Sequence, residues 1–244
     1  MDTSLGALRG RHTSATRRQS ALALLGLALM LAAAGAAWSL SRSAPGAKDR
    51  EGKQVVAVLF GGIGLAFVGL WWSRRGHAVE VREHGLLLVT RGRTRAVRWE
   101  EIDAVWQKIV RRHVNGVYVG TVHLYTLRLR GGEALTVSSI YRDMGALGDA
   151  IQFEHSRRAL STLARALDEG ETVSFGAVAT SAAGLTVRDR LVPWSRIGAA
   201  TIDRGMLLVT EAGAAARPLL SVPAEVVPNL FALLALVRGR AAAS

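Results

Sequence analysis

Cysteine is absent from this chain of 244 residues. Its absence excludes a disulfide framework, thiolate catalysis and cysteine-ligated zinc, and it fits a reducing compartment. The sequence also lacks a glycine-rich phosphate loop, a nucleophile elbow and an HExxH motif. Its six histidines are scattered without the close spacing of metal ligands. We therefore expect no enzymatic activity, no bound metal and no cofactor.

Acidic residues are few: 19 stand against 31 lysines and arginines, which gives a formal net charge of +12. A basic excess of this size favours acidic partners. The basic residues are spread along the chain rather than gathered in one stripe, which argues against nucleic acid as a partner.

Charge is missing altogether from residues 19–41 and from residues 54–73. Each run is long enough to cross about 30 Å of hydrocarbon as a helix. Trp38, Trp71 and Trp72 lie near the ends of these runs, where amphipathic rings prefer the level of the lipid headgroups. The sequence thus predicts a transmembrane helical hairpin over residues 19–73, after a basic N-terminal tail over residues 1–18. Without an ionisable residue at membrane depth, a transporter or channel is not indicated.

The orientation of this hairpin is not decided by the positive-inside rule, because basic residues flank both runs at both ends. We expect both termini in the cytoplasm and the protein in the inner membrane of the cell, because most of the cysteine-free chain follows the second run. An alternative is that the first run is a cleaved secretory signal and the second a stop-transfer helix. The C-terminal part faces the cytoplasm in either case.

From Gly76 onward the apolar residues occur in short alternating runs typical of half-buried strands, and a helical period follows Asp143. The same order then occurs again. Gly85-Leu86 aligns with Gly184-Leu185, Trp99 with Trp194, and Ile102 with Ile197. We therefore predict two copies of one β-rich module, over residues 76–170 and, in compressed form, residues 171–240, each closed by a C-terminal helix.

Two tryptophans and two isoleucines are the predicted structural core of these modules: Trp99, Ile102, Trp194 and Ile197. An indole paired with an apolar neighbour at a fixed spacing is typical of core packing. The alternative is that the tryptophans are exposed platforms on which a ligand stacks.

Longer stretches carry a resemblance to a known fold. A Gly-Leu-turn-Trp-x-x-Ile signature, followed by strands, a hairpin and a terminal amphipathic helix, resembles bacterial pleckstrin-homology-like (PH-like) domains. The runs "EHGLLLVTRGRTRAVRWEEIDAVWQ", "NGVYVGTVHLYTLRLRGGEAL", "GETVSFGAVATSAAGLTV" and "LVPWSRIG" are similar to an uncharacterised bacterial membrane-protein family that carries such domains. The resemblance implies seven-stranded, strongly bent barrels, each capped by a C-terminal helix and used mainly to bind lipids or proteins. It implies no catalytic residue. The expected fold class is two N-terminal transmembrane helices followed by a mainly β, α+β region of tandem PH-like barrels.

On these grounds we expect a membrane-anchored, non-catalytic scaffold or sensor. Its PH-like domains bind a protein partner or self-associate at the cytoplasmic membrane surface. The alternative is binding of anionic lipid headgroups, worth about 1 kcal/mol per basic residue near the surface. The candidate contacts for that alternative are Arg91, Arg93, Arg95, Arg98, Lys108, Arg111 and Arg112. The same residues also fit a solvated, arginine-rich edge that discourages aggregation.

Overall fold

The computed structural model describes residues 5–14, 16–42 and 50–241. Residues 1–4 and 15 of the predicted tail and residues 43–49 of the predicted hairpin lie outside the described residues. The helices are α1 (Thr16–Ser41), α2 (Arg50–Arg74), α3 (Met144–Asp168) and α4 (Leu230–Ala241). The strands are β1 (Leu8–Thr13), β2 (His77–Arg82), β3 (Gly85–Thr90), β4 (Arg93–Arg98), β5 (Ile102–Val114), β6 (Val117–Leu129), β7 (Ala134–Ser138), β8 (Val173–Phe175), β9 (Val178–Ser181), β10 (Gly184–Val187), β11 (Arg190–Pro193), β12 (Ile197–Asp203), β13 (Met206–Glu211) and β14 (Ala214–Pro223).

Helices α1 and α2 pack closely against each other at two glycines, Gly26 and Gly64. A Cβ atom added to Gly64 would lie 2.9 Å from the carbonyl oxygen of Gly26 and 2.7 Å from Cγ of Met30, so only glycine permits this approach. The segments Ser20–Ser41 and Glu51–Ser73 are long and apolar enough to cross a membrane. Large apolar side chains such as Leu24 and Leu31 point outward and are exposed. An exposed apolar surface of this kind suits a lipid environment.

Strand β1 lies inside the segment that the sequence indicated as a basic tail. It pairs with β2 in antiparallel register, with Thr13 opposite Ala78. The backbone N–H of Ser14 donates to the carbonyl of His77 over 2.9 Å. The two ends of the helical hairpin therefore meet at one sheet, and the hairpin is inserted between the first and second strands of that sheet.

Side chains also attach β1 to the rest of the protein. Leu5 is fully buried just before the strand. Arg9 forms an ion pair with Glu154 of α3, and Arg11 lies 3.5 Å from a carboxylate oxygen of Glu80 of β2. Two cations of the predicted tail are thus partners of carboxylates within the fold.

The remaining elements form two halves with the same order. In the first half, a four-stranded sheet (β1-β2-β3-β4) and a three-stranded sheet (β5-β6-β7) precede α3. In the second half, a four-stranded sheet (β8-β9-β10-β11) and a three-stranded sheet (β12-β13-β14) precede α4. The strands are paired antiparallel throughout these four sheets. A short turn joins β8 to β9 at the place where the first half has its helical hairpin.

The repeated glycines mark places where one strand passes very close to another. A Cβ atom on Gly85 would lie 2.2 Å from the carbonyl oxygen of Val97, and one on Gly184 would lie 2.1 Å from that of Val192. Any side chain at either position would therefore displace the neighbouring strand. Glycine is required at both positions for this steric reason.

The repeated tryptophans also have equivalent surroundings. Each begins a short 3-10 helix, Trp99–Glu101 or Trp194–Arg196, and is 2% or 8% exposed, respectively. Nε1 of Trp99 donates to the carbonyls of Arg82 and Glu83, both over 3.2 Å. Nε1 of Trp194 donates to the carbonyl of Ser181 over 3.0 Å. Each ring thus fills the core while satisfying carbonyls at the end of the preceding hairpin.

The core is divided into two clusters that share one helix. Ile102 and Ile197, buried at the start of β5 and β12, belong to different clusters. The first turns of α3 contribute Leu147 and Ile151 to the first cluster, whereas Leu167 near its end is buried in the second. Because α3 belongs to both cores, the two halves are packed on a common element.

Candidate functional site

Asn229 joins the second half to an exposed edge of the first. Strand β5 is the edge strand of its sheet. Asn229, with a φ of 53°, donates its backbone N–H to the carbonyl of Val105 over 2.8 Å and accepts the N–H of Val105 at Oδ1 over 2.9 Å. Its Nδ2 donates to the carbonyl of Asp103 over 3.3 Å. One residue therefore pairs with the edge strand as a neighbouring strand would.

A buried histidine supports this junction. Nε2 of His155, on α3, lies 3.1 Å from Oδ1 of Asn229, and the residue is 6% exposed. Burial lowers the pKa of His155 below its ordinary value of 6.5, against the raising effects of Asn229 and the Asp103 carboxylate. The neutral imidazole, which donates from Nε2, is thus the form that the folded protein favours.

The stability of the protein should therefore fall as the solution is acidified below about pH 6.5. The pKa of His155 is lower in the folded than in the unfolded state, so its contribution is complete above the unfolded value and is lost below it. We expect the variant His155→Gln, which retains an N–H donor but does not titrate, to show a smaller loss of stability between pH 7 and pH 5.5. Thermal unfolding at several pH values measures this, and an unchanged slope would contradict the assignment.

An open groove of about 550 Å³ lies beside this junction. One wall is the face of β5 that carries Gln107, Ile109 and Arg111. The other wall comes from the second half and is formed by Ile202, Arg204, Gly205, Pro223, Ala224 and Glu225. We call this feature the inter-half groove.

The charges of the inter-half groove are mainly positive. Glu225 is paired with Lys108, whose Nζ lies 2.9 Å from its carboxylate. Arg204, on the β12–β13 turn, is highly exposed, and its one ion pair with the described residues is a 3.9 Å contact with Asp203, itself largely exposed. Arg111 is exposed on the opposite wall. Two accessible guanidinium groups therefore lie on opposite walls, each on the same wall as an isoleucine, Ile109 or Ile202. Such a groove suits an acidic segment with apolar side chains.

The basic residues predicted to contact lipid are distributed over several places. Arg91 lies on the β3–β4 turn, where its backbone N–H donates to the carbonyl of Gly76 over 3.1 Å at the end of α2. Arg95 makes two hydrogen bonds, of 2.5 and 2.6 Å, to the carboxylate of Glu133. This pairing raises the pKa of Arg95 and lowers that of Glu133. Arg93 and Arg98 are exposed on β4, whereas Lys108, Arg111 and Arg112 lie on β5.

Tryptophans at the ends of the helices are stacked with arginines. Cζ of Arg75 lies 4.2 Å from the centre of the Trp71 ring. Cζ of Arg42 lies 4.3 Å from the centre of the Trp38 ring. Cation–π pairs of this kind place an amphipathic ring and a positive charge together at each end of the hairpin. Both groups favour the level of the lipid headgroups.

Within residues 5–14, 16–42 and 50–241, no group of three or more histidine and carboxylate residues is arranged to hold a metal ion. The cavity nearest to His155 is lined mainly by side chains with structural partners, including Asn229 and Arg158.

Sequence reasoning missed Asn229 and His155. The only local signal for Asn229 is its position immediately before α4, and nothing in the sequence around it indicates a partner on β5.

The comparisons with known proteins give a family but no activity. No curated protein matches this sequence. The model of one family matches residues 2–243, which includes β1, the helical hairpin and both halves. The chain therefore belongs to a family of unknown function, DUF6585.

Proposed function

We propose that this protein is a non-catalytic scaffold of the inner membrane, with two spans and both termini in the cytoplasm. In this proposal the two halves are tandem PH-like modules, and a protein partner binds in the inter-half groove. The order of a four-stranded sheet, a three-stranded sheet and a C-terminal helix in each half supports the PH-like assignment. The bacterial origin of the chain is part of the same proposal.

The insertion of the helical hairpin between β1 and β2 is the observation that carries this proposal. A domain joined to its membrane helices at one end would be connected through a single linker. Here both ends of the hairpin continue directly into paired strands. The shared helix α3 then holds the second half against the first. A platform attached in this way keeps the groove at a fixed place relative to the membrane, as a scaffold requires.

The same pairing favours retention of the first helix over its removal as a secretory signal. Cleavage after α1 would separate β1 and the buried Leu5 from the sheet they complete. It would also leave Glu154, whose side chain is 5% exposed, without its ion pair to Arg9. We therefore propose that the mature protein keeps both helices.

The proposed partner is a protein with an acidic segment that also carries apolar side chains. This choice follows from Arg111 and Arg204 on opposite walls and from Ile109 and Ile202 on the same two walls. A photo-crosslinking amino acid placed at Ile202 of the full chain tests the proposal in cells. We expect an adduct with another protein that is lost when Arg111→Glu and Arg204→Glu are combined.

A matched control is a crosslinker at Phe153, an exposed apolar residue on α3 that does not line the groove. We expect no such adduct there. The proposal is wrong if position 202 yields no adduct, if the charge reversals leave the adduct unchanged, or if position 153 yields the same one.

Binding of anionic lipid is the second candidate function, and the place of Arg91 favours it. This residue lines a small cavity with Trp72 and Arg75 at the end of α2. A lipid headgroup next to α2 would meet two arginines there. Arg95 is a weaker candidate because its guanidinium is already paired with Glu133. Under this alternative, Arg91→Glu in the full chain should reduce co-purification of anionic lipid, whereas Arg98→Glu should not.

A further inference from the structure

The hairpin formed by β5 and β6 is longer than its sheet requires. The two strands pair from Ile102 and Leu129 at one end to Val114 and Val117 at the other. The third strand, β7, pairs with β6 only as far as Leu124. The part beyond it, residues 109–123, is a two-stranded ribbon, which we call the finger. A ribbon of two strands has marginal stability in water by itself.

Within residues 171–241, which the structure describes, the second half has no counterpart of the finger. The equivalent strands β12 and β13 are joined at Arg204 and Gly205 after only 7 and 6 residues, whereas β5 and β6 have 13 each. The second core is nevertheless complete around Trp194 and Ile197. The finger is therefore an addition to the module that packing of the core does not explain.

The tip of the finger is apolar and lies in the open. Val114, Val117, Tyr118 and Val119 are 58%, 66%, 56% and 50% exposed. They surround a tight turn at Asn115 and Gly116, with φ values of 50° and 80°. A soluble β-hairpin normally carries polar side chains at such a tip, so this apolar cluster indicates a contact surface.

A collar of cations lies directly behind the tip. Arg111 and Arg112 are exposed on β5, and His113 follows them. Among the described residues, no carboxylate forms an ion pair with either arginine. An apolar tip with a cationic collar matches the profile of an anionic membrane surface, in which charged headgroups lie above the acyl chains.

The finger points to the end of the fold where the helical hairpin leaves it. Strand β5 begins at Ile102, immediately after the Trp99 helix, which is hydrogen-bonded to Arg82 at the end of β2 remote from α2. Near the base of the finger, Ser139 exchanges hydrogen bonds with the backbone of His123 over 2.8 and 3.0 Å. Only two residues later, Tyr141 bridges to Ser14, just before α1.

The finger therefore starts at the level where α1 and α2 leave the sheet and continues beyond it. Val117 lies six positions before His123 in β6, and at about 3.3 Å per residue this part of the strand spans roughly 20 Å. This distance is enough for the tip to reach the bilayer that holds the two helices.

We propose that the finger is a third membrane contact, whose tip inserts into the headgroup region of an anionic bilayer beside the helical hairpin. Val114, Val117 and Val119 are then removed from water, and the Tyr118 ring occupies the interface. Arg112 contacts the anionic headgroups, and Arg111, which also lines the inter-half groove, adds its positive charge next to it. The finger differs from the lipid site suggested by Arg91, which lies on another hairpin.

The absence of cysteine makes a site-specific test direct. Val119→Cys in the full chain is labelled with an environment-sensitive fluorophore, and the protein is reconstituted into nanodiscs that contain lipids with a quencher in the acyl chains. The matched control is Gly131→Cys, which places the label in the exposed turn at the opposite end of β6. We expect quenching several-fold stronger at position 119 than at position 131, and stronger in anionic than in neutral lipid.

Charge reversal tests the contribution of Arg111 and Arg112 separately from that of the apolar tip. Arg111→Glu combined with Arg112→Glu should reduce the quenching at position 119 in anionic nanodiscs while the circular dichroism of the protein stays unchanged. Equal and weak quenching at positions 119 and 131 would overturn the proposal. A label at position 119 that is shielded from water but not quenched would show a protein or a second copy of the chain as the occupant, and would overturn it as well.

Discussion

Replacement of Trp99 by alanine should lower the free energy of unfolding by about 3 to 5 kcal/mol. The ring is among the largest fully buried side chains of the first half and packs within the cluster that contains Val97 and Ile102. Its removal leaves a cavity and also leaves the carbonyl of Arg82 without its indole donor. Chemical unfolding of the full chain in detergent, followed by circular dichroism, measures the effect.

Two further variants test whether a loss of this size is specific to the repeated tryptophans. Trp194→Ala should cause a loss of similar size, because Trp194 occupies the equivalent place in the second half. Trp106→Ala is the control, because this ring is only half-buried and lies beneath Arg128, whose Cζ is 5.0 Å from its centre. If all three variants lost the same stability, the special role of the repeated tryptophans would be refuted.

Replacement of Gly148 by alanine should destabilise the protein by about 3 kcal/mol, the upper part of the usual range for overpacking. A Cβ atom on Gly148 would lie 1.9 Å from Cζ and 2.1 Å from Oη of Tyr125. Tyr125 is 1% exposed, so its ring has no space into which to move. Burial also raises the pKa of Tyr125 to about 12.

Gly145→Ala provides the control for this substitution. It lies one turn earlier on α3, and the nearest atom to an added Cβ would be Cε1 of His123 at 3.9 Å, an ordinary contact. Alanine there should be neutral or stabilising by up to about 1 kcal/mol, because it favours the helix more than glycine does. Adding Tyr125→Leu to Gly148→Ala should recover part of the lost stability. Equal effects of the two glycine substitutions would contradict the close packing of α3 on β6.

The sequence predicted best those features that are encoded by residues close together in the chain. The apolar runs gave two helices long enough to span a membrane, and the family match agrees with the resemblance to an uncharacterised family. The two halves can be aligned from the sequence at their repeated glycine, tryptophan and isoleucine positions. Each of these residues packs within one hairpin and the strand that follows it. In the structure they occupy equivalent places.

The features that sequence did not reveal depend on distant partners. Strand β1 has the sequence LRGRHT, in which Leu8 is the only large apolar residue. The sequence therefore lacks the alternation of apolar and polar residues that predicts a strand. Its formation depends on β2, which follows it only after the whole helical hairpin. Asn229 is likewise separated by 124 residues from Val105, to which its side chain binds. The direction of the finger likewise depends on contacts between distant residues, including the bridge between Ser14 and Tyr141.

The helical hairpin interrupts the first sheet, so that the residues before it and after it form neighbouring strands. A disulfide between Thr13→Cys and Ala78→Cys, which are opposite each other in β1 and β2, tests this insertion of the hairpin. With a protease site introduced between Pro45 and Gly46, the two fragments can be followed after cleavage. The control pair is Thr13→Cys with Thr90→Cys, because β3 is one strand further away, at about 10 Å.

We expect mild oxidation of isolated membranes to join the two fragments of the Thr13 and Ala78 pair into one band, which a reductant separates. The Thr13 and Thr90 pair should remain as two fragments under the same conditions. Two fragments from both pairs, or one band from both, would contradict the insertion of the hairpin between β1 and β2.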